Sequence, residues 1–274
     1  MSISREPPVR VGHPRRTPVV RRASAGLSPL RAGAAIVMLL AVLGMYGVAN
    51  SSAFTYRRLD LDAGPNPFTN EGAVLAAMGL DSATPNLFLL RTDRLAASLL
   101  ALPAVTDASV VVSLPDTVRV RIVERQPILV WAVGTRRLLA DRDGVLFADA
   151  VPGGTGSDLP TIIDHRQASK AFASGDRLDP VDLDAATRFA SLKPVDVASA
   201  SHTLRVTIVD SDGYEVRPDI GGWVALFGFY TPSLRTPDLI PGQVRLLRSL
   251  MAGREDTMKR VVLADDRNGS YSTK

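Results

Sequence analysis

No residue from Ala32 to Tyr56 carries a charge, and that stretch limits the architectures open to the chain more than any other. Its apolar part, AGAAIVMLLAVLGMYGVA, has 18 residues. As a helix it would be about 27 Å long, close to the roughly 30 Å hydrocarbon core of a bilayer. A helix on the surface of a soluble core needs a polar face, and none can be drawn here. Seven arginines (Arg5, Arg10, Arg15, Arg16, Arg21, Arg22, Arg31) precede the stretch, against one acid, Glu6. By the positive-inside rule the N-terminus is cytoplasmic and everything after about Ser52 lies outside the plasma membrane. Residues 32–52 are therefore expected to form a retained single-pass helix in the lipid bilayer. Residues 1–31, rich in Arg, Pro, Ser and Val without a period, are expected to be a disordered basic tail. A cleaved signal peptide competes with this reading, because Ser51-Ser52-Ala53 offers small residues at a cleavage site. Against it stand the long basic region and an apolar run at the upper end for a signal. Arg15-Arg16 is followed by Thr-Pro-Val, not by a twin-arginine export motif.

The tail also distorts the net charge of +4. Seven of the 32 basic and one of the 28 acidic residues lie within 1–31, which leaves 25 against 27 beyond it. The basic balance belongs to the tail, so the folded part lacks the excess of Lys and Arg that marks a nucleic-acid-binding domain. Cysteine is absent, which excludes disulfides and thiolate metal sites.

Beyond the anchor, Phe54–Leu61 reads as a strand, Gly64-Pro65-Asn66-Pro67 as a turn, and Asn70–Met78 as a short helix capped by Asn70 or Thr69 and ended by Gly79. From Arg91 to Pro127 the pattern is helix, strand, turn, strand. Thr92 is the expected N-cap, and Leu95, Leu99 and Leu102 share one helical face until Pro103. Then the period becomes two. Ala108, Val110, Val112 and Leu114 point one way, as do Val118, Val120 and Ile122. Ser109, Ser113, Thr117, Arg119 and Arg121 fill the alternate positions, with Pro115-Asp116 at the turn. The order over 54–125 is β-α-α-β-β.

That order looks like a POTRA domain, and the chain resembles the FtsQ/DivIB family of bacterial cell-division proteins. The resemblance is carried by Leu102-Pro103 with Val105, Ala108 and Val110, Pro115, Thr117-Val118, and Val123-Glu124-Arg125 with Pro127. A later hairpin of the form apolar-Asp-x-x-Gly-x-apolar, here Leu139-Ala140-Asp141-Arg142-Asp143-Gly144-Val145-Leu146-Phe147, belongs to the same pattern.

Residues 126–268 read as a second, β-rich domain with helices. Strands are expected at Ile128–Val133, 138–140, 145–147, Leu159–Ile163, Thr203–Val209, Tyr214–Val216, Trp223–Phe227 and a last one near Lys259–Arg267. Asp179 caps a helix with Pro180 in its first turn. A late helix over Pro241–Met251 turns Val244, Leu247, Leu250 and Met251 inward and ends at Gly253. Gln243 stands where the family often has Lys, and the 229–240 loop is longer than usual. The fold class is α+β: a single-pass membrane anchor, a POTRA-like domain and a second β-rich domain.

The residues offer no catalytic constellation. His13, His165 and His202 are isolated, too few for a metal site. Gly153, Gly154 and Gly156 do not lead a strand into a helix as a phosphate cradle requires. Asp141, Asp143 and Asp149, and likewise Asp210 and Asp212, suit turns better than paired acid–base chemistry. No cofactor, metal or small-molecule substrate is expected. Glu124, Arg125 and Pro127 mark a domain junction where an Arg beside a Glu is expected to clamp rather than to bind a ligand. The final strand, read as a sheet edge able to accept another chain, supplies the candidate partner-binding residues. The family's C-terminal strand region receives its partner, which maps onto Val261, Leu263, Asp265 and Arg267. The resemblance thus implies a non-enzymatic scaffold at the division septum that binds bitopic partners of the FtsB/DivIC and FtsL type. A POTRA-bearing accessory of envelope protein transport and a membrane-tethered exported enzyme are the alternatives.

Overall fold

The computed structural model describes residues 29–64 and 68–274; the expected tail over 1–28 and the turn residues 65–67 lie outside them. The chain divides into two compact units, Met1–Ser51 and Ser52–Lys274. In the first, α1 (Pro29–Ala49) contains one window, Ala32–Ala49, long and apolar enough to cross a membrane, with a mean hydropathy of 2.2 and none of it buried. The helix begins at Pro29, slightly earlier than expected. At about 32 Å, by 1.5 Å per residue, it matches the bilayer core.

The second unit holds two sheets. The first has the order β1-β3-β2, with β1 (Arg58–Asp62) parallel and β2 (Val105–Ser113) antiparallel to β3 (Thr117–Glu124). Two antiparallel strands need only a turn, whereas a parallel pair needs a crossover. The crossover here carries α2 (Glu71–Met78) and α3 (Thr92–Leu99). Asn70 caps α2 by accepting from the Ala73 amide at 2.8 Å, and Gly79 ends it at a φ of 66°. Val74, Leu99, Val110, Val118, Val120 and Ile122 form the core beneath the helices. On the wet face Arg119 pairs with Asp60 at 2.8 Å across the parallel ladder.

Three local expectations give way here. The N-cap of α3 is Arg91, without a side-chain capping bond, and Thr92 is already helical. The first strand starts at Arg58 because Ser52–Phe54 coils into a 3₁₀ turn. Leu114 is exposed rather than inward: pairing stops at Ser113, and Leu114 belongs to the turn.

The second sheet has nine strands in the order β12-β11-β10-β9-β8-β7-β4-β5-β6. They are β4 (Pro127–Val133), β5 (Arg136–Asp141), β6 (Leu146–Asp149), β7 (Thr161–Asp164), β8 (Leu204–Val209), β9 (Gly213–Pro218), β10 (Val224–Gly228), β11 (Met258–Leu263) and β12 (Gly269–Thr273). β7 and β8 are parallel, as are β10 and β11, and their crossovers contain α4 (Pro180–Ala190) and α5 (Ile240–Met251) respectively. Asp179 caps α4 through the Val181 amide at 2.8 Å, with Pro180 in the first turn. Both helices contribute to one core with Trp131, Tyr214, Trp223 and Phe227. Phe189 of α4 stacks on Tyr214 at 5.0 Å and meets Phe227 edge-on at 4.9 Å. Gly213 is required where β9 begins: its φ is 71°, and a Cβ there would lie 2.4 Å from the Gly228 carbonyl carbon.

The largest departure is at the C-terminal end. β11 ends at Leu263, and residues 264–268 turn the chain back into β12, which pairs antiparallel with β11. β11 is parallel to β10 on its other side. It is therefore not the sheet edge that its place in the sequence implied. Asp265 makes the reversal: one carboxylate oxygen accepts from the Arg267 and Asn268 amides at 2.7 and 2.6 Å, and the other from the Asn268 side chain at 2.7 Å.

Candidate partner-binding site

β12 lies at one margin of the sheet, and all five of its residues are exposed. The Ala264 amide donates to the Asn268 carbonyl at 2.9 Å, a single bond that sets the phase of the ladder, since the Asn268 amide is taken by Asp265. In that phase the bonded positions of an antiparallel ladder recur at every second residue, here Val262 with Ser270 and Arg260 with Ser272. Ser270 and Ser272 accordingly bond to β11, and the backbone groups of Gly269, Tyr271 and Thr273 face outward along the free edge. The sequence candidates divide around this strand. Val261 and Leu263 are buried in the core beneath it. Asp265 and Arg267 sit in the exposed turn that launches it. Hydrogen bonds from the Asn268 side chain, then from the Arg267 and Asn268 amides, hold the Asp265 carboxyl below its usual range.

Side-chain bonds tie the ends of β10 and β11 together beside β12. Arg235 and Gln243 both donate to the Phe227 carbonyl, Gln243 at 3.2 Å, and both donate to the Leu263 carbonyl, at 2.8 and 2.9 Å. Gln243 is fully buried and accepts from the Tyr230 hydroxyl at 2.8 Å. These bonds satisfy carbonyls at the point where β10 and β11 stop pairing, and a buried carbonyl without a donor is costly. Gly242 makes room for the turn after β11, since a Cβ there would fall 2.4 Å from Asp266 Cβ. Near the other end of β12, Lys274 Nζ donates to the Gly221 carbonyl at 3.0 Å. Glu255 accepts from Ser199, from the Ala200 amide at 2.7 Å and from Trp223 Nε1 at 2.8 Å. Burial pushes its pKa up, but these bonds and the Lys274 charge outweigh it and leave the carboxyl below its usual range.

The junction residues come together at the base of the first sheet. Arg125 donates to the Pro103 carbonyl at 2.8 Å and to Asp141 at 2.6 Å, and its amide donates to the Ala104 carbonyl at 2.8 Å. Glu124 accepts from the Phe68 and Thr69 amides, both at 2.7 Å. Pro127 opens β4 opposite Asp141. Asp141 is buried and also accepts from the Asp143 and Val145 amides at 2.9 Å, so the turn-forming aspartate is at the same time the acceptor for Arg125. A third apolar cluster lies here: Ala104 with Val130, Leu139, Val145 and Phe147, against which Phe68 packs edge-on at 5.1 Å.

Other sequence candidates are dispersed. His165 and His202 are exposed, and among the described residues no three His, Asp or Glu side chains gather as a metal site. Asp210 accepts from the Gln167 amide at 3.1 Å, and Asp212 pairs with Arg260 at 2.8 Å. Sequence reasoning missed Asp164, which is buried and bonded to Arg166 and to Ser169 Oγ, while Arg166 reaches Asp182 at 2.8 Å. Its only signal was an Asp two residues before an Arg at a strand end.

Residues 63–125 match the family description "POTRA domain, FtsQ-type". Three similar proteins carry the name cell division protein FtsQ. That of Chloroflexus aurantiacus is 30% identical over 63% of this chain and 61% of its own length. That of Koribacter versatilis is 26% identical over 56% and 46% respectively, and that of Mycobacteroides abscessus 30% identical over 62% and 54%. The chain thus spans about half to three-fifths of these relatives. With an apolar N-terminal helix, the β-α-α-β-β unit and a β-rich region carrying further helices in the order the resemblance implied, the chain is similar to these FtsQ proteins and carries an FtsQ-type POTRA domain at 63–125.

Proposed function

We propose that the chain is a non-enzymatic scaffold of the bacterial division complex, anchored once in the plasma membrane. Its N-terminus is cytoplasmic, 54–125 and 126–268 act as two domains outside the membrane, and the protein works at the septum by binding. The seven tail arginines support the orientation. The name shared by the relatives supports the process. The observation that carries the binding role is the fully exposed edge of β12, with outward backbone groups at Gly269, Tyr271 and Thr273. A strand of a bitopic partner of the FtsB/DivIC type, with FtsL in the same assembly, adds to that edge. Val261 and Leu263 support it from the core, and Asp265 and Arg267 fix where it begins. The Glu124–Arg125–Pro127 junction keeps the two domains in one orientation relative to each other.

Hydrogen exchange on the full chain in micelles, with and without an FtsB/DivIC-type partner, tests this. Amides of 269, 271 and 273 should gain protection. Tyr271→Pro, which removes one outward N–H, should abolish capture while core amides of β8 and β9 stay protected. Capture that survives this substitution, or protection that appears elsewhere only, would refute the site.

A further inference from the structure

We infer that Phe54, Phe88 and Leu89 form a lipid-contact patch that lies in the membrane interface where the chain leaves the bilayer. The inference rests on reading α1 as the membrane span. Phe88 is 51% and Leu89 73% exposed, and the rings of Phe54 and Phe88 meet edge-on with centroids 5.0 Å apart. Two exposed apolar side chains next to each other are unfavourable against water. They are nevertheless presented rigidly. Thr55 and Asn86 form an isolated antiparallel bridge, the Tyr56 amide donates to the Pro85 carbonyl at 2.9 Å, and the Phe88 amide donates to Asn86 Oδ1 at 2.9 Å. Leu87, between them, is buried and pins the loop to the core.

Chain length supplies the occupant. Only four residues, and so five Cα-to-Cα steps, separate Ala49, the last of α1, from Phe54. Fully extended, those five steps reach at most about 18 Å. Ser52–Phe54 is a 3₁₀ turn rising about 2 Å per residue, so the true limit is nearer about 13 Å. The polar interface is roughly 5–8 Å thick on each side of the hydrocarbon core. A patch held this close meets the interface at a high effective concentration, and Phe and Leu side chains bury at the boundary between headgroups and acyl chains. The flanking charges suit anionic headgroups: Arg57 and Arg58 follow Phe54, and Arg91 follows Leu89, all exposed, with Asp116 offsetting Arg58 and Asp93 offsetting Arg91, which leaves Arg57 as the net charge.

Because the chain has no cysteine, single nitroxide labels read depth cleanly. The full chain is reconstituted in phosphatidylethanolamine–phosphatidylglycerol vesicles with Leu89→Cys, Leu234→Cys or Val42→Cys. Power saturation then compares oxygen with a water-soluble nickel chelate. Positions 42 and 89 should read as lipid, and 234, which is 92% exposed, as water. Equal readings at 89 and 234 overturn the patch. Lipid at 42 with water at 89 overturns the patch and leaves the anchor standing, whereas water at 42 overturns both. Adding Phe88→Ser to Leu89→Cys should shift position 89 toward water; an unchanged depth would mean that the label inserts by itself, and overturns the patch.

Discussion

Removing the carboxylate of Asp141 should be among the most damaging single changes in the second unit. Its side chain is 5% exposed and that of Arg125 18%, with 2.6 Å between them. Asp141→Ala strips Arg125 of its only charged partner among the described contacts and leaves the Pro103 carbonyl alone to satisfy it. Breaking a buried pair from one side costs about 3–5 kcal/mol. The Asp143 and Val145 amides lose their acceptor at the same time, so the upper part of that range is expected. Arg125→Met retains the apolar stem, and Asp141 keeps its two backbone donors, so that variant should cost only about 2 kcal/mol. The double variant should recover about 2 kcal/mol relative to the sum of the singles, because the second change removes a charge already stranded. Thermal unfolding of the full chain in micelles, followed by the fluorescence of the buried Trp131 and Trp223, reads this directly. At about 2–4 °C per kcal/mol for a unit of this size, a loss of about 4–5 kcal/mol should lower the Asp141→Ala midpoint by about 8–20 °C. A loss under about 1 kcal/mol, or a coupling under about 0.5 kcal/mol, would refute the claim that this pair locks the junction.

Gly242→Ala should destabilise although it lies in a helix, where alanine ordinarily gains about 1 kcal/mol; the 2.4 Å approach to Asp266 Cβ reverses the sign, and a raised unfolding midpoint would contradict this. Glu255 has a folded pKa below its ordinary 4.5, so its contribution is present above that value and lost as pH falls through the lower folded one. The midpoint difference between the wild type and Glu255→Gln should accordingly shrink in acid and stay constant near neutrality. Burial, and then the Asp182 charge, raise Tyr214 well above 10.0, so stability should fall as pH climbs past 10.0 toward the raised value, and Tyr214→Phe should flatten that fall at a cost of about 1 kcal/mol from its bond to the Asp182 carbonyl.

What could be read in the sequence was whatever repeats with a period. The alternation Val118-Val120-Ile122 against Arg119-Arg121 places β3 correctly, and the capping residues Asn70 and Asp179 mark helix starts that the structure keeps. β12 was not legible, because Gly-Ser-Tyr-Ser-Thr has no buried face and therefore no apolar alternation. Missing it placed the edge on β11, whose inward Val261 and Leu263 belong to an interior strand. The parallel pairings of β7 with β8 and β10 with β11 were equally silent, since order across a sheet is set by crossovers rather than by local pattern. Gln243 was noticed only as a departure from a family habit. Its role at two strand-end carbonyls depends on Phe227 and Leu263, which are distant in sequence.

Depletion of the chain in its own cells, with complementation, tests the scaffold reading most directly. Depleted cells should elongate without completing septa. The full chain should restore division, and the Tyr271→Pro variant, present at the same level in the membrane, should not. Normal septation after depletion, or full rescue by Tyr271→Pro, would contradict a division scaffold that works through the β12 edge.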